Sequence, residues 1–85
     1  MTDEHGYRWT NHRDGSTSTP VISGAIETKA KIKQDKYGYS PSIHGRCLEN
    51  TNAVPGKGEY GFLTKYYWPT LEEAKAAIRA ITTPR

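Results

Sequence analysis

The sequence predicts an α+β fold: a small two-layer domain with a three- or four-stranded antiparallel sheet and one C-terminal helix packed across it. Three observations predict it. Residues 25 to 34, AIETKAKIKQ, alternate apolar and polar side chains, which is the period of a half-buried strand. Residues 59 to 68, EYGFLTKYYW, alternate again, with rings on both faces. Residues 69 to 82 open with Pro-Thr-Leu-Glu-Glu and continue with apolar residues at helical spacing, the pattern of a capped amphipathic helix.

Each element follows in chain order. Residues 1 to 24 read as a polar N-terminal segment: a frayed start at 1 to 6, then YRWTNH at 7 to 12, which can form a short edge strand. RDGSTSTP at 13 to 20 reads as a loop, because Asp14-Gly15 is turn chemistry and the Ser/Thr run offers little to pack. Residues 25 to 82 form the sheet-plus-helix domain. In its first strand Ile26, Thr28, Ala30 and Ile32 face the core and Glu27, Lys29, Lys31 and Lys33 face solvent. Gln34-Asp35-Lys36 turns the chain, and Tyr37 to His44 returns as the second arm of a hairpin. Pro41 confines that arm to an edge or a bulge. Residues 46 to 59 read as a loop, and 59 to 68 as a central strand. Tyr60, Phe62, Thr64, Tyr66 and Trp68 share one face of it; Gly61, Leu63, Lys65 and Tyr67 share the other. Thr70 is the expected helix N-cap with Glu73 three residues on. Leu71, Ala74, Ala77, Ile78 and Ile81 form the apolar stripe, and residues 83 to 85 are a tail.

Eighty-five residues make one domain. Hydrophobic content is low at 34%, yet nine large rings supply burial that the scarce aliphatics do not. That favours a folded chain over a disordered one. Net charge is +3. It is local: between 26 and 46, Lys29, Lys31, Lys33, Lys36 and Arg46 face only Glu27 and Asp35. A local basic patch bears on partner choice more than a diffuse balance does. One cysteine excludes an internal disulfide. The opening MTDEHGYRW has no apolar leader core, and no run is long enough to span a membrane. We therefore expect a cytoplasmic protein with no membrane partner.

The chemistry-bearing candidates are few. Lys29, Lys31 and Lys33 stand on alternate positions, so their side chains lie on one face at roughly 6.5–7 Å intervals. Lys65 and Tyr67 are expected to join them from the neighbouring strand. Ammonium groups at that spacing suit phosphates, and tyrosines can stack on bases. The same lysines also read as the ordinary solvated side of a strand. His44 and Cys47 have the spacing of a metal-ligand pair, which His5 and His12 would have to complete; the alternative is a surface imidazole and a plain thiol. We expect no bound metal and no other cofactor. Catalysis finds little: Pro55-Gly56-Lys57-Gly58 lacks the first glycine and the hydroxyl of a phosphate loop, and no small-molecule substrate is implied.

The order of a small sheet followed by WPTLEEAKAAIRAI resembles, in layout over residues 26 to 82, the three-stranded-sheet-plus-helix DNA-binding modules. The arm-binding domains of phage-type integrases and the plant AP2 domains are examples. That likeness implies an open sheet face that enters a DNA groove. Those families use arginine and tryptophan there, where this chain offers lysines and Tyr67. Two readings of function follow. One is a small non-enzymatic module that binds nucleic acid through the lysine face. The other is a phage-type accessory or inhibitor protein that docks on a host protein, such as a nucleic-acid-processing enzyme, through its aromatic and lysine surface.

Overall fold

A computed structural model describes residues 2–50 and 65–85. Among the described residues six strands form one antiparallel sheet: β1 (Thr10–Asn11), β2 (Thr17–Ser23), β3 (Ile26–Asp35), β4 (Gly38–Ile43), β5 (Arg46–Cys47) and β6 (Thr83–Pro84). The first five lie side by side in chain order, and β6 pairs with the far end of β2. One helix, α1 (Leu71–Arg79), precedes β6 and packs against β3 and β4. The α+β class, the antiparallel sheet and the C-terminal helix match the sequence expectation. The strand number does not: three or four were expected, and the described residues alone hold six, three of them only two residues long.

The β3–β4 hairpin forms where the alternation placed it. Its turn is Asp35-Lys36-Tyr37-Gly38, with Asp35 opposite Gly38. The Asp35 carboxylate accepts the Tyr37 amide at 2.8 Å, and Gly38 takes φ 126°. Asp at the first position and Gly at the fourth are what a tight turn of this kind selects.

β2 corrects the reading of residues 13 to 20 as loop. Thr17, Thr19 and Val21 point into the core at 5%, 1% and 0% exposure. The threonine hydroxyls are satisfied there: Thr17 donates to the Thr10 carbonyl, and Thr19 accepts the Arg8 amide. β-branched side chains suit a pleated surface. Pro20 is tolerated because of register. It stands opposite Lys29, whose carbonyl turns to β4 and accepts from His44 N. Alternation therefore turns the Pro20 nitrogen away from β3, into the gap between β1 and β6. Pro41 is placed by the same logic. Its carbonyl accepts from Leu48 N, away from β3, so its missing donor falls between the two-residue β5 and the Tyr39–Trp68 bridge.

The core lies between one sheet face and the helix: Val21, Ala30, Ile32 and Ile43 from the sheet, Ala74 and Ile78 from α1, and Tyr7 from the N-terminal segment. Ala74 lets the helix approach the sheet closely. Burying Ile32 or Ile78 fully stabilises by roughly 1.5–3 kcal/mol each. Two residues of the expected core faces stay out: Ile26 is 58% and Ile81 54% exposed. Both lie at the ends of their elements, Ile26 as the first residue of β3 and Ile81 past the last helical residue.

The described segments near both ends are tied down. Asp3 accepts amide protons from His5 and Tyr7 and the Trp9 indole proton. The start expected to fray is thus a folded turn. Residues 83 and 84, expected as tail, form β6. Tyr7 reaches across to donate to the Thr82 carbonyl at 3.0 Å.

The expected strand at 59 to 68 lies partly outside the described residues. Its described part, 65 to 68, is not a strand. Lys65 and Tyr66 have 3₁₀ conformation, and of these four residues only Trp68 pairs, through an isolated bridge to Tyr39. Among the described residues no helix is long and apolar enough to cross a membrane.

Candidate functional site

The face of the sheet opposite α1 carries the lysines. Register makes rows across it. Ser18, Lys31, Ser42 and Cys47 form one row. Pro20 and Lys29 begin a second, with His44 closing it through its amide bond to Lys29. Lys33 and Ser40 form a third. Three cations from β3 thus run down the middle, flanked by two hydroxyls on β4 and by an imidazole from the turn that follows it. Lys29, Lys31, Lys33, Ser40, Ser42, His44 and Cys47 line one shallow concavity of about 670 Å³.

The partners set the local charge. Lys31 lies 3.9 Å from the Asp14 carboxylate, with both side chains well exposed; such a pair is weak and competes poorly with a stronger anion. Asp14 is held below the ordinary carboxylate range, first by the Ser16 hydroxyl and amide, with Lys31 and His12 adding to it against the cost of burial. His12 Nε2 and the Ser18 hydroxyl are 2.6 Å apart, and His44 Nδ1 is 3.2 Å from the Thr28 hydroxyl. His44 holds φ 53°, a left-handed conformation that His tolerates better than most side chains.

The lysine row ends in a carboxylate. Asp35 continues the parity of Lys33 on β3, and the Tyr67 phenol donates to it at 2.8 Å. Tyr67 also packs on Tyr37, with ring centroids 5.7 Å apart. The expectation that Tyr67 follows Lys65 on a strand face is corrected. The turn at 65 and 66 breaks that alternation, and Tyr67 reaches the end of the face by its own bond to Asp35. Lys65 is not among the residues lining the concavity. Its ammonium sits 4.9 Å from the Tyr66 ring centroid, and its carbonyl accepts the Asn50 amide. Of the five lysine-face candidates, Lys29, Lys31 and Lys33 therefore come together, Tyr67 borders them, and Lys65 stands apart.

His44 and Cys47 do share the concavity, with lysines rather than further ligands around them. Among the described residues no three His, Cys, Asp or Glu side chains converge as a metal site would require. His5 is paired with Glu4 at 3.2 Å, and His12 with Ser18, so neither completes the set. Sequence reading missed Ser40 and Ser42. Their signal was present: once the turn is fixed at 36 and 37, register puts them opposite Lys33 and Lys31. Asp14 gave no such signal, because a loop residue has no register.

Arranged in this way, the face can hold a chain of anions by ammonium contact and hydroxyl donation. No family model, no curated protein and no solved structure matches this chain significantly, so the site has to be read from its own chemistry.

Proposed function

We propose that the protein is a small non-enzymatic binding module whose open sheet face binds nucleic acid through Lys29, Lys31 and Lys33. One observation carries this reading. Three lysines from one strand line a single concavity, and the carboxylates beside it among the described residues are each engaged: Asp14 weakly with Lys31, Asp35 with the Tyr67 phenol, and Glu27, at the start of the row, with Arg85 at 3.0 Å. Lysine contact is to phosphate, so binding is electrostatic and largely indifferent to sequence. The test is anisotropy of labelled random-sequence DNA, titrated at low and physiological salt. Binding that falls steeply with salt is expected. The double variant Lys29→Ala/Lys31→Ala should keep the fold and weaken binding to all sequences alike. Unchanged affinity in that variant rules the patch out.

A second reading, docking on a host protein in the manner of a phage accessory or inhibitor, draws on a different place. Ile26 and Ile81 are exposed beside Ile43, Leu48 and Arg46. Apolar side chains bordered by a guanidinium suit a protein partner. Absence of DNA binding even at low salt would turn the search to this surface.

A further inference from the structure

Resting on the nucleic-acid reading, we infer that the ligand is single-stranded, with its backbone lying lengthwise in the trough between β3 and β4 and three successive phosphates facing Lys29, Lys31 and Lys33. The lysines form one straight row, not two. The neighbouring row on β2 is Ser18 and Pro20; the neighbouring row on the other side is Ser40 and Ser42 of β4, with His44 in the turn just after it. A surface that grips a duplex meets two backbones, one on either side of a groove about 12 Å wide. The lysines that line this concavity offer cations for one; Arg85, at the start of the row, is taken up by Glu27 at 3.0 Å.

The trough lies on the β4 side of that row. There each lysine has a polar neighbour across from it: Ser40 beside Lys33, Ser42 beside Lys31, His44 beside Lys29. Strands stand roughly 4.8 Å apart, and alternate residues roughly 6.5–7 Å along the strand. A phosphodiester chain laid over the trough would meet an ammonium on one side and a hydroxyl or imidazole on the other at every step. An extended single strand can match its phosphates to that straight spacing, whereas a duplex backbone winds away from it. On the β2 side Pro20 carries no polar group and the Ser18 hydroxyl is 2.6 Å from His12 Nε2. On the β4 side the Ser42 hydroxyl makes only a long 3.4 Å bond to the Lys31 carbonyl, which a phosphate would replace, and His44 Nδ1 is held 3.2 Å from the Thr28 hydroxyl.

The experiment compares labelled dT12, rU12 and a random-sequence duplex of equal length by anisotropy across a salt series. It also follows alkylation of Cys47, the chain's one cysteine, which is exposed and lines the trough. The expected result is binding of the single strands at least about tenfold tighter than the duplex. Three phosphate contacts give a log–log salt slope of about −2 for a single strand, falling by about 0.7 in Lys31→Ala. Bound dT12 should also slow Cys47 alkylation. Duplex binding as tight as single-strand binding overturns this inference and leaves the nucleic-acid reading standing. Single-strand binding that leaves Cys47 alkylation unchanged overturns the placement in the trough. Binding to none of the three, even at low salt, overturns both readings.

Discussion

The Tyr67 phenol donates a 2.8 Å hydrogen bond to the Asp35 carboxylate, joining the chain that enters the helix to the end of the lysine strand. That bond, ahead of burial and the repulsion of nearby negative charge, pushes the phenol up from 10.0 to about 12. A raised phenol is protonated in the folded state at pH values where the unfolded chain has already lost its proton. Its contribution to stability is therefore complete below pH 10 and is lost as the pH rises toward 12. In a spectroscopic phenolate titration, one of the six tyrosines should ionise late, near pH 12. Tyr67→Phe should remove that late step, and Asp35→Asn should bring it down. A Tyr67→Phe profile that retains the late step would show that another tyrosine carries it.

The helix start makes a second prediction. Thr70 has extended backbone angles, and its hydroxyl accepts the Glu73 amide at 3.2 Å. The same hydroxyl lies 3.0 Å from the Glu73 carboxylate, to which it donates. Thr70→Ala removes both contacts and should destabilise the fold by about 1 kcal/mol. For a domain of this size that lowers Tm by about 4–8 °C. Thr70→Ser should melt close to the parent. Equal melting of the alanine variant and the parent would mean that the helix does not depend on this cap.

The cap was legible in the sequence because every residue involved is local: Thr70, Glu73 and the alanines lie within one or two turns of each other. The β3–β4 hairpin was legible for the same reason. β2 was not. Its core face is Thr17, Thr19 and Val21, two hydroxyl residues where alternation rules look for aliphatics, and Pro20 argues against a strand until the register shows its nitrogen facing a gap. The alternation at 65 to 68 misled in the opposite direction. Period 2 reports side-chain type, and the pairing that makes a strand is non-local; among these residues only Trp68 finds it. At the site, the lysine row could be read from one strand alone, while Ser40 and Ser42 needed the hairpin register. The Asp35–Tyr67 bond needed the whole fold.

Tyr7 is 3% exposed, and its phenol donates to the Thr82 carbonyl at 3.0 Å. Thr82 in turn donates its hydroxyl to the Ile78 carbonyl at 2.7 Å. This chain of bonds links the N-terminal segment to the end of α1 just before β6. Tyr7→Phe keeps the ring and removes the donor, leaving a buried carbonyl short of a partner. The expected cost is about 1–3 kcal/mol, read as a lower midpoint in denaturant with little change in its slope. A midpoint equal to the parent's would show that water or another donor satisfies Thr82.

Gly38 gives the sharpest structural test. It holds φ 126°, and a Cβ there would stand 2.7 Å from the Trp68 carbonyl oxygen. That oxygen accepts the Tyr39 amide in the bridge joining β4 to the approach of the helix. Gly15 also has a positive φ, 87°, but a Cβ there would meet nothing within 4 Å. Gly15→Ala should therefore pay backbone strain alone, about 1–2 kcal/mol. Gly38→Ala should pay comparable strain, about 1–3 kcal/mol, and in addition push Trp68 out of its bridge. Thermal melts of the two variants separate the terms, because they share the substitution and differ in what the new methyl group meets. A larger loss for Gly38→Ala, with a shift in Trp68 fluorescence, is the expected outcome. Equal losses would mean that the Trp68 carbonyl does not approach Gly38 closely in solution.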